Sequence, residues 1–210
     1  MKAVVVYESH WGNTEAIARA VAAGFGPEAE ALTTDQASGA ALMDADLVVA
    51  GAPLIAFGLP SDNTRGGVAA ESANAPTPPD LSHPSMSAWL ENLPQGHGRS
   101  ASFETRMRWS PGGATGAIDR GLAGAGYRPV GKGRRFVVKG KYGPLRDGEI
   151  QLARQWGAEL AEMVQSERSV DGGSAHRDDR ARSDDGSRRR WASRSRDRLA
   201  MRRIRAAFRR

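Results

Sequence analysis

The chain has 210 residues, 40% hydrophobic and 26% charged, which fits one domain with additional material. The absence of cysteine excludes a disulfide framework, a thiolate metal site and a cysteine nucleophile. The formal net charge of +6 is unevenly placed: residues 1–168 carry 16 basic and 18 acidic side chains, whereas residues 169–210 carry 14 arginines and 6 aspartates. The basicity therefore belongs to a tail, and arguments from charge to partner apply to the tail alone.

The first apolar run, Lys2–Tyr7, is β-branched and bounded by a glycine-containing turn, as expected of a strand buried on both faces. It is too short for a signal-peptide core or a membrane span, and no later stretch approaches about 18 continuous apolar residues, so a cytoplasmic protein is expected. A helix is predicted over Thr14–Phe25, with Ile17, Ala18, Val21, Ala22 and Phe25 on one stripe and Gly24 and Gly26-Pro27 stopping it. Glu28–Leu32 reads as a weak second strand and Asp46–Gly51 as a strong third. Residues 52–85 break the rhythm, with prolines at 53, 60, 76, 78, 79 and 84 arguing against long regular elements. Met86–Leu93 is a predicted helix capped by Ser85, and Ser100–Thr105 a fourth strand. Gly113–Gly126 is a small-residue helix and Arg135–Lys139 a fifth strand. Asp147 is the expected cap of a last helix, with Glu149 in its first turn and Ala153, Trp156, Leu160 and Val164 on its buried face. Strands alternating with helices imply a parallel sheet covered on both sides, with ligands bound beyond the carboxyl ends of the strands.

The segment Ser9-His10-Trp11-Gly12-Asn13-Thr14 lies where the first strand hands over to the first helix. Free backbone N–H groups and the helix dipole converge there, a natural seat for phosphate. Ser9, Thr14 and the Asn13 amide are candidate side-chain donors, and Gly12 allows a sharp turn. No Lys or Arg sits in the loop, the pattern GxxxxGK[ST] is absent from the chain, and GxGxxG does not follow the first strand. These features favour a terminal phosphate held by neutral donors over a triphosphate or a dinucleotide. The bland alternative is an ordinary strand-to-helix turn with capping residues.

The stretch Val4-Val5-Val6-Tyr7-Glu8-Ser9-His10-Trp11-Gly12-Asn13-Thr14-Glu15 resembles the opening of flavodoxins and flavodoxin-like flavoproteins, whose loop reads S/T-x-x-G-N-T. The resemblance covers about residues 1–165. It implies an α/β, three-layer, doubly wound five-stranded parallel sheet of order 2-1-3-4-5, with FMN as cofactor. By position, Ala52, Pro53, Leu54, Ile55, Ala56, Phe57 and Gly58 look like the loop after the third strand that contacts the isoalloxazine. Glu104–Gly113, containing Thr105, Arg106, Arg108 and Trp109, looks like the loop on the ring's other side. Two features depart from the low-potential carriers of that family. The second loop carries arginines where acidic residues are usual, and the aromatic candidates to flank the ring are Phe57, Trp109 and Trp11.

Function follows in three readings. The first is an FMN-binding electron-transfer protein or FMN-dependent oxidoreductase, possible donors including NAD(P)H, with the redox partner or small-molecule acceptor unspecified. Arg106 and Arg108 would then place positive charge near the reduced ring or grip an anionic substrate; a solvated loop pair is the alternative. Residues 59–85 would cover the flavin face, with Asn63-Thr64-Arg65 reaching the substrate or the phosphate rim; a surface loop is the alternative. The second reading is a flavin-free module of the same fold with a binding or regulatory role, suggested by Leu54-Ile55-Ala56. The third acts through the tail. Residues 166–190 have the composition of a disordered segment, and Trp191, Leu199, Met201, Ile204 and Phe208 interrupt the arginines beyond it. Such a tail suits an anionic membrane surface or a phosphate backbone, unless it is a solvated extension. No metal site is expected, because His10, His83, His97 and His176 lack ligand spacing. No residue is assigned a catalytic role.

Overall fold

The computed structural model describes residues 1–169; the arginine-rich segment 170–210 lies outside the described residues. The chain divides into two units, Met1–Val164 and Gln165–Arg210, and the sheet and its core belong to the first. In chain order the elements are β1 (Ala3–Tyr7), α1 (Asn13–Phe25), β2 (Ala29–Thr33), α2 (Gly39–Leu42), β3 (Leu47–Pro53), α3 (Asp62–Ala70), a 3₁₀ turn (Glu71–Asn74), α4 (Met86–Glu91), β4 (Arg99–Met107), α5 (Thr115–Gly124), β5 (Arg128–Pro129) and β6 (Arg134–Val138). A final helix, α6, begins at residue 149. Among the described residues, no helix is long and apolar enough to cross a membrane.

The strands are parallel in the order β2-β1-β3-β4-β5, and β6 also pairs with β4. β5 and β6 share one edge of β4 as two halves of a fifth strand: Arg99 faces Arg128, whereas Phe103 faces Arg134. The edge therefore carries two residues more than β4 does, around Gly131-Lys132-Gly133. The predicted order 2-1-3-4-5 is the observed one, and its switch point lies between β1 and β3.

β1 is buried at every position because it is central and covered on both faces. Side chains alternate along it. Ala3, Val5 and Tyr7 join α1, Phe103, Phe136, Trp156 and Leu160 on one face. Val4 and Val6 join Trp89, Leu93, Ile118 and Leu122 on the other. Three helices differ in how their ends form. α1 ends at Phe25 with Gly26 as its C-cap, and Gly24 does not stop it; a Cβ at Gly24 would meet the Arg154 carbonyl, so the residue serves the close approach of α1 and α6. Asp147 accepts from Lys139 Nζ at 2.9 Å, while the Gly148 carbonyl receives the first backbone bond of α6, from Leu152. Ser85 does cap α4, accepting from the Ala88 N–H at 3.2 Å.

α3 occupies the proline-rich stretch in which no long regular element was expected, and runs for 9 residues. Ser61 and Thr64 cap it reciprocally: the Ser61 N–H donates to Thr64 Oγ1 at 2.8 Å, and the Thr64 N–H reaches Ser61 Oγ at 3.5 Å.

Candidate functional site: three loops at the carboxyl edge of the sheet

β1, β3 and β4 run parallel, so the loops that leave them emerge on one edge. β1 delivers Ser9–Thr14, β3 delivers Leu54–Gly58, and β4 delivers Arg108–Gly113. A cavity of about 80 Å³ is lined by Ser9, His10, Trp11, Asn13, Thr14, Pro53, Leu54, Ile55, Thr105 and Arg106, among others. A second, of about 600 Å³, is lined by Leu54, Ile55, Ala56, Phe57, Val68, Met107, Trp109 and Pro111, among others. Leu54, Ile55, Met107, Ser110 and Lys141 line both, so the two spaces adjoin. Among the described residues, no carboxylate lines either.

In the first loop, Gly12 is the N-cap of α1 at φ +81°, a left-handed conformation costly for any side chain. No side chain caps α1, which leaves its first-turn N–H groups to an incoming acceptor. The polar side chains divide their roles. Ser9 Oγ is buried without a hydrogen-bond partner among the described residues. Thr14 Oγ1 bonds Thr105 Oγ1 at 2.8 Å and ties the loop to β4. Asn13 Nδ2 donates to the Tyr142 carbonyl at 3.2 Å. Trp11 Nε1 donates to the Thr77 carbonyl at 3.2 Å, and its ring meets Tyr142 edge-on at 4.9 Å. Asn13 and Trp11 thus anchor the loop to its flanks, while the loop's Ser9 Oγ has no bond among the described residues.

Behind the loop lies a buried ionic cluster that sequence reasoning missed. Glu8, fully buried at the end of β1, accepts from the Met86 N–H at 2.7 Å and bonds His10 Nε2 at 3.0 Å. Arg65 Nε from α3 stands 3.4 Å from the same carboxylate. Of Asn63-Thr64-Arg65, expected at the substrate or the phosphate rim or else on a surface loop, Arg65 is buried against Glu8 and Thr64 lines the larger cavity. An acidic residue directly after a wholly apolar central strand was the available signal. The Pro-rich segment returns to the loop as well: the Asp80 N–H donates to the His10 carbonyl at 2.9 Å. Hydrogen bonds from the Ser82 hydroxyl and then the Ser82 N–H hold the Asp80 carboxyl below its ordinary range.

The two ring-side loops are joined to each other. Ile55 and Gly58 exchange backbone bonds of 3.0 and 2.9 Å around Ala56 and Phe57, whose φ values are +45° and +73°. Two successive non-glycine residues in this region cost about 1–3 kcal/mol each and must be held by their surroundings. The Gly113 N–H donates to the Phe57 carbonyl at 3.2 Å, and Gly112 packs there at φ +83°, where a Cβ would come within 2.0 Å of that oxygen. Phe57 and Trp109 are left 69% and 79% exposed at the mouth of the larger cavity, open to a ligand's face. Arg106 lines the smaller cavity, but Nη1 donates to Glu104 Oε1 at 2.9 Å and to the Gly112 carbonyl at 3.0 Å. Its charge is therefore matched by a buried carboxylate. Arg108 is exposed. Glu104 also accepts from the Ala114 and Thr115 N–H groups, so one side chain fixes the start of α5 and the arginine together.

No protein-family model and no curated protein matches the sequence. Solved structures share its architecture. A flavodoxin from the domain Archaea is 21% identical with a TM-score of 0.55, covering 79% of this chain and 99% of its own. Oxidised flavodoxin 1 from Bacillus cereus is 20% identical with a TM-score of 0.55, covering 77% and 98%. A flavodiiron core from Synechocystis is 17% identical with a TM-score of 0.53, covering 79% of this chain but 36% of its own. With the sheet order, these likenesses establish the flavodoxin-like fold.

Proposed function

We propose that the chain binds FMN and acts in the cytoplasm as an electron-transfer protein or FMN-dependent oxidoreductase. The observation that carries this reading is the pair of adjoining cavities, one of phosphate size at an uncapped helix start, the other apolar and flanked by exposed aromatics. The residues fit the group. Ser9 Oγ is an orphaned donor in the phosphate cavity, and the N–H groups of the first turn of α1 supply the rest. Pro53, Leu54, Ile55 and Ala56 form one wall for the ring, and Thr105, Met107 and Trp109 another, with Phe57 and Gly58 completing the turn. Trp11, Gly12, Asn13 and Thr14 hold the loop's shape. Bound there, FMN supplies one- or two-electron redox chemistry. The protein orients the ring between the two loops, screens it with Phe57 and Trp109, and presents no carboxylate to its reduced form.

The solved structures named flavodoxins support the reading through shared fold. Purified protein, or protein incubated with excess FMN and desalted, is expected to be yellow, with the flavin fluorescence quenched. Riboflavin is expected to bind more weakly, because it leaves the phosphate cavity empty. Bleaching by NAD(P)H would mark a reductase; a lasting oxidised spectrum would mark a carrier fed by another donor. Protein that stays colourless under these conditions sinks the proposal.

A further inference from the structure

We propose that His10 supplies the positive charge missing from the lysine-free loop, taking up a proton as phosphate binds. This rests on the loop being a phosphate site, and does not require that the phosphate belong to a flavin.

His10 lines the phosphate-sized cavity and is 3% exposed. Nε2 lies 3.0 Å from Glu8 Oε1, and Nδ1 is buried without a partner. A carboxylate only accepts, so Nε2 is the protonated nitrogen of the pair. In the neutral ring Nδ1 is then a bare acceptor. A phosphate dianion offers acceptors only, and the two lone-pair surfaces repel. The imidazolium donates from both nitrogens, to Glu8 on one side and to a phosphate oxygen on the other.

The surrounding charges favour the same outcome. Glu8 is already faced by Arg65 Nε at 3.4 Å and by the Met86 N–H at the start of α4. Asp62 stands 4.0 Å from Arg65 Nη1, on the exposed side. Asp80 contributes its backbone N–H to the His10 carbonyl. Trp11 meets the imidazole edge-on at 5.7 Å. With Arg65 balancing Glu8, an imidazolium leaves about one unit of buried positive charge, which is costly alone and is offset by a phosphate dianion. Of the other cations on the cavity, Arg106 is bound to Glu104, and Lys141 has its Nζ 5.7 Å from the Tyr142 ring centroid. Ligand and proton should therefore enter together.

The test uses the full chain labelled with ¹⁵N-histidine, with the His10 signals assigned by their absence in His10→Gln. Ring-nitrogen shifts are followed at about pH 7.5, about one unit above the unperturbed imidazole value, on the ligand-free chain and with inorganic phosphate, FMN or riboflavin added. Both nitrogens of His10 are expected to be protonated with phosphate or FMN and not with riboflavin. His10→Gln is expected to bind FMN about ten- to a hundredfold more weakly near pH 6, with the deficit shrinking as pH rises. A singly protonated His10 in the phosphate complex overturns the proposal, as does a deficit that does not change with pH. If phosphate charges His10 while FMN fails to bind, the flavin reading falls and this one stands. If neither ligand reaches His10, both fall.

Discussion

Ser9 and Thr14 are both hydroxyls in one loop, yet their environments assign them opposite tasks. Ser9 Oγ has no partner among the described residues, so removing it takes away a buried unsatisfied group. Ser9→Ala is expected to leave the melting temperature of the ligand-free chain unchanged or slightly raised. It should weaken FMN binding by about 1.5–3 kcal/mol, the worth of a hydrogen bond to a charged acceptor. Thr14→Val reverses the pattern. It strands Thr105 Oγ1, a bond of 2.8 Å, and should cost about 1 kcal/mol of stability. Calorimetric melting and fluorescence titration of the two variants separate these effects. Asp80 supplies a pH-dependent support behind the same loop. Its carboxyl is held below its ordinary range by Ser82, so the folded state binds its proton less tightly than the unfolded chain. That stability is present above the ordinary aspartate value of about 3.9 and is lost as pH falls through the lowered folded value. Ser82→Ala should melt lower than wild type at neutral pH, and the difference should close as pH falls below the ordinary aspartate range. A difference that persists unchanged in acid would count against this account.

Among the elements, β4 and the loop beyond it carry the most consequence for the site. Glu104 serves α5, Arg106 and Arg135 at once, with Arg135 Nε 3.5 Å from its carboxylate. Glu104→Gln should cost about 3 kcal/mol, because a buried pair loses one charge and keeps the other. A double-mutant cycle with Arg106→Met should show coupling; strict additivity would argue against a shared network. Gly112→Ala should separate the ring-side loops, since its Cβ would meet the Phe57 carbonyl at 2.0 Å. Loss of ring binding with phosphate binding intact is the expected signature, read by comparing FMN with inorganic phosphate. These dependencies explain what the sequence could reveal. β1 and β3 were legible because a central strand buried on both faces leaves an unbroken apolar run. The phosphate loop was legible because glycine and hydroxyl residues follow such a run directly. α3 was not, because Gly66-Gly67 and the flanking prolines argue against a helix that the Ser61–Thr64 cap and the Arg65–Glu8 pair support. Residue types suggested donors, but partner choice is tertiary: Asn13 turned to Tyr142, and Arg106 to Glu104.

At the scale of the whole molecule, the parallel sheet brings three loops distant in sequence to one edge. Among the described residues, both core clusters are made of residues up to Val164, with Trp156, Leu160 and Val164 closing one of them. A chain ending at Arg168 should therefore melt with the full chain and bind FMN with the same affinity. Its charge, however, changes sign: 16 basic against 18 acidic residues remain, where the full chain carries +6. A phosphate-bearing matrix at low salt should retain the full chain and pass the truncated one. The full chain should elute steeply with salt as its 14 tail arginines exchange matrix phosphates for counterions. Co-elution of the two chains would assign the tail no part in binding anionic surfaces. A lower melting temperature for the truncated chain would instead mean that residues beyond 168 support the sheet. Because FMN affinity is measured on the same two proteins, a change in retention with affinity unmoved would show the cofactor site and the tail to be energetically independent.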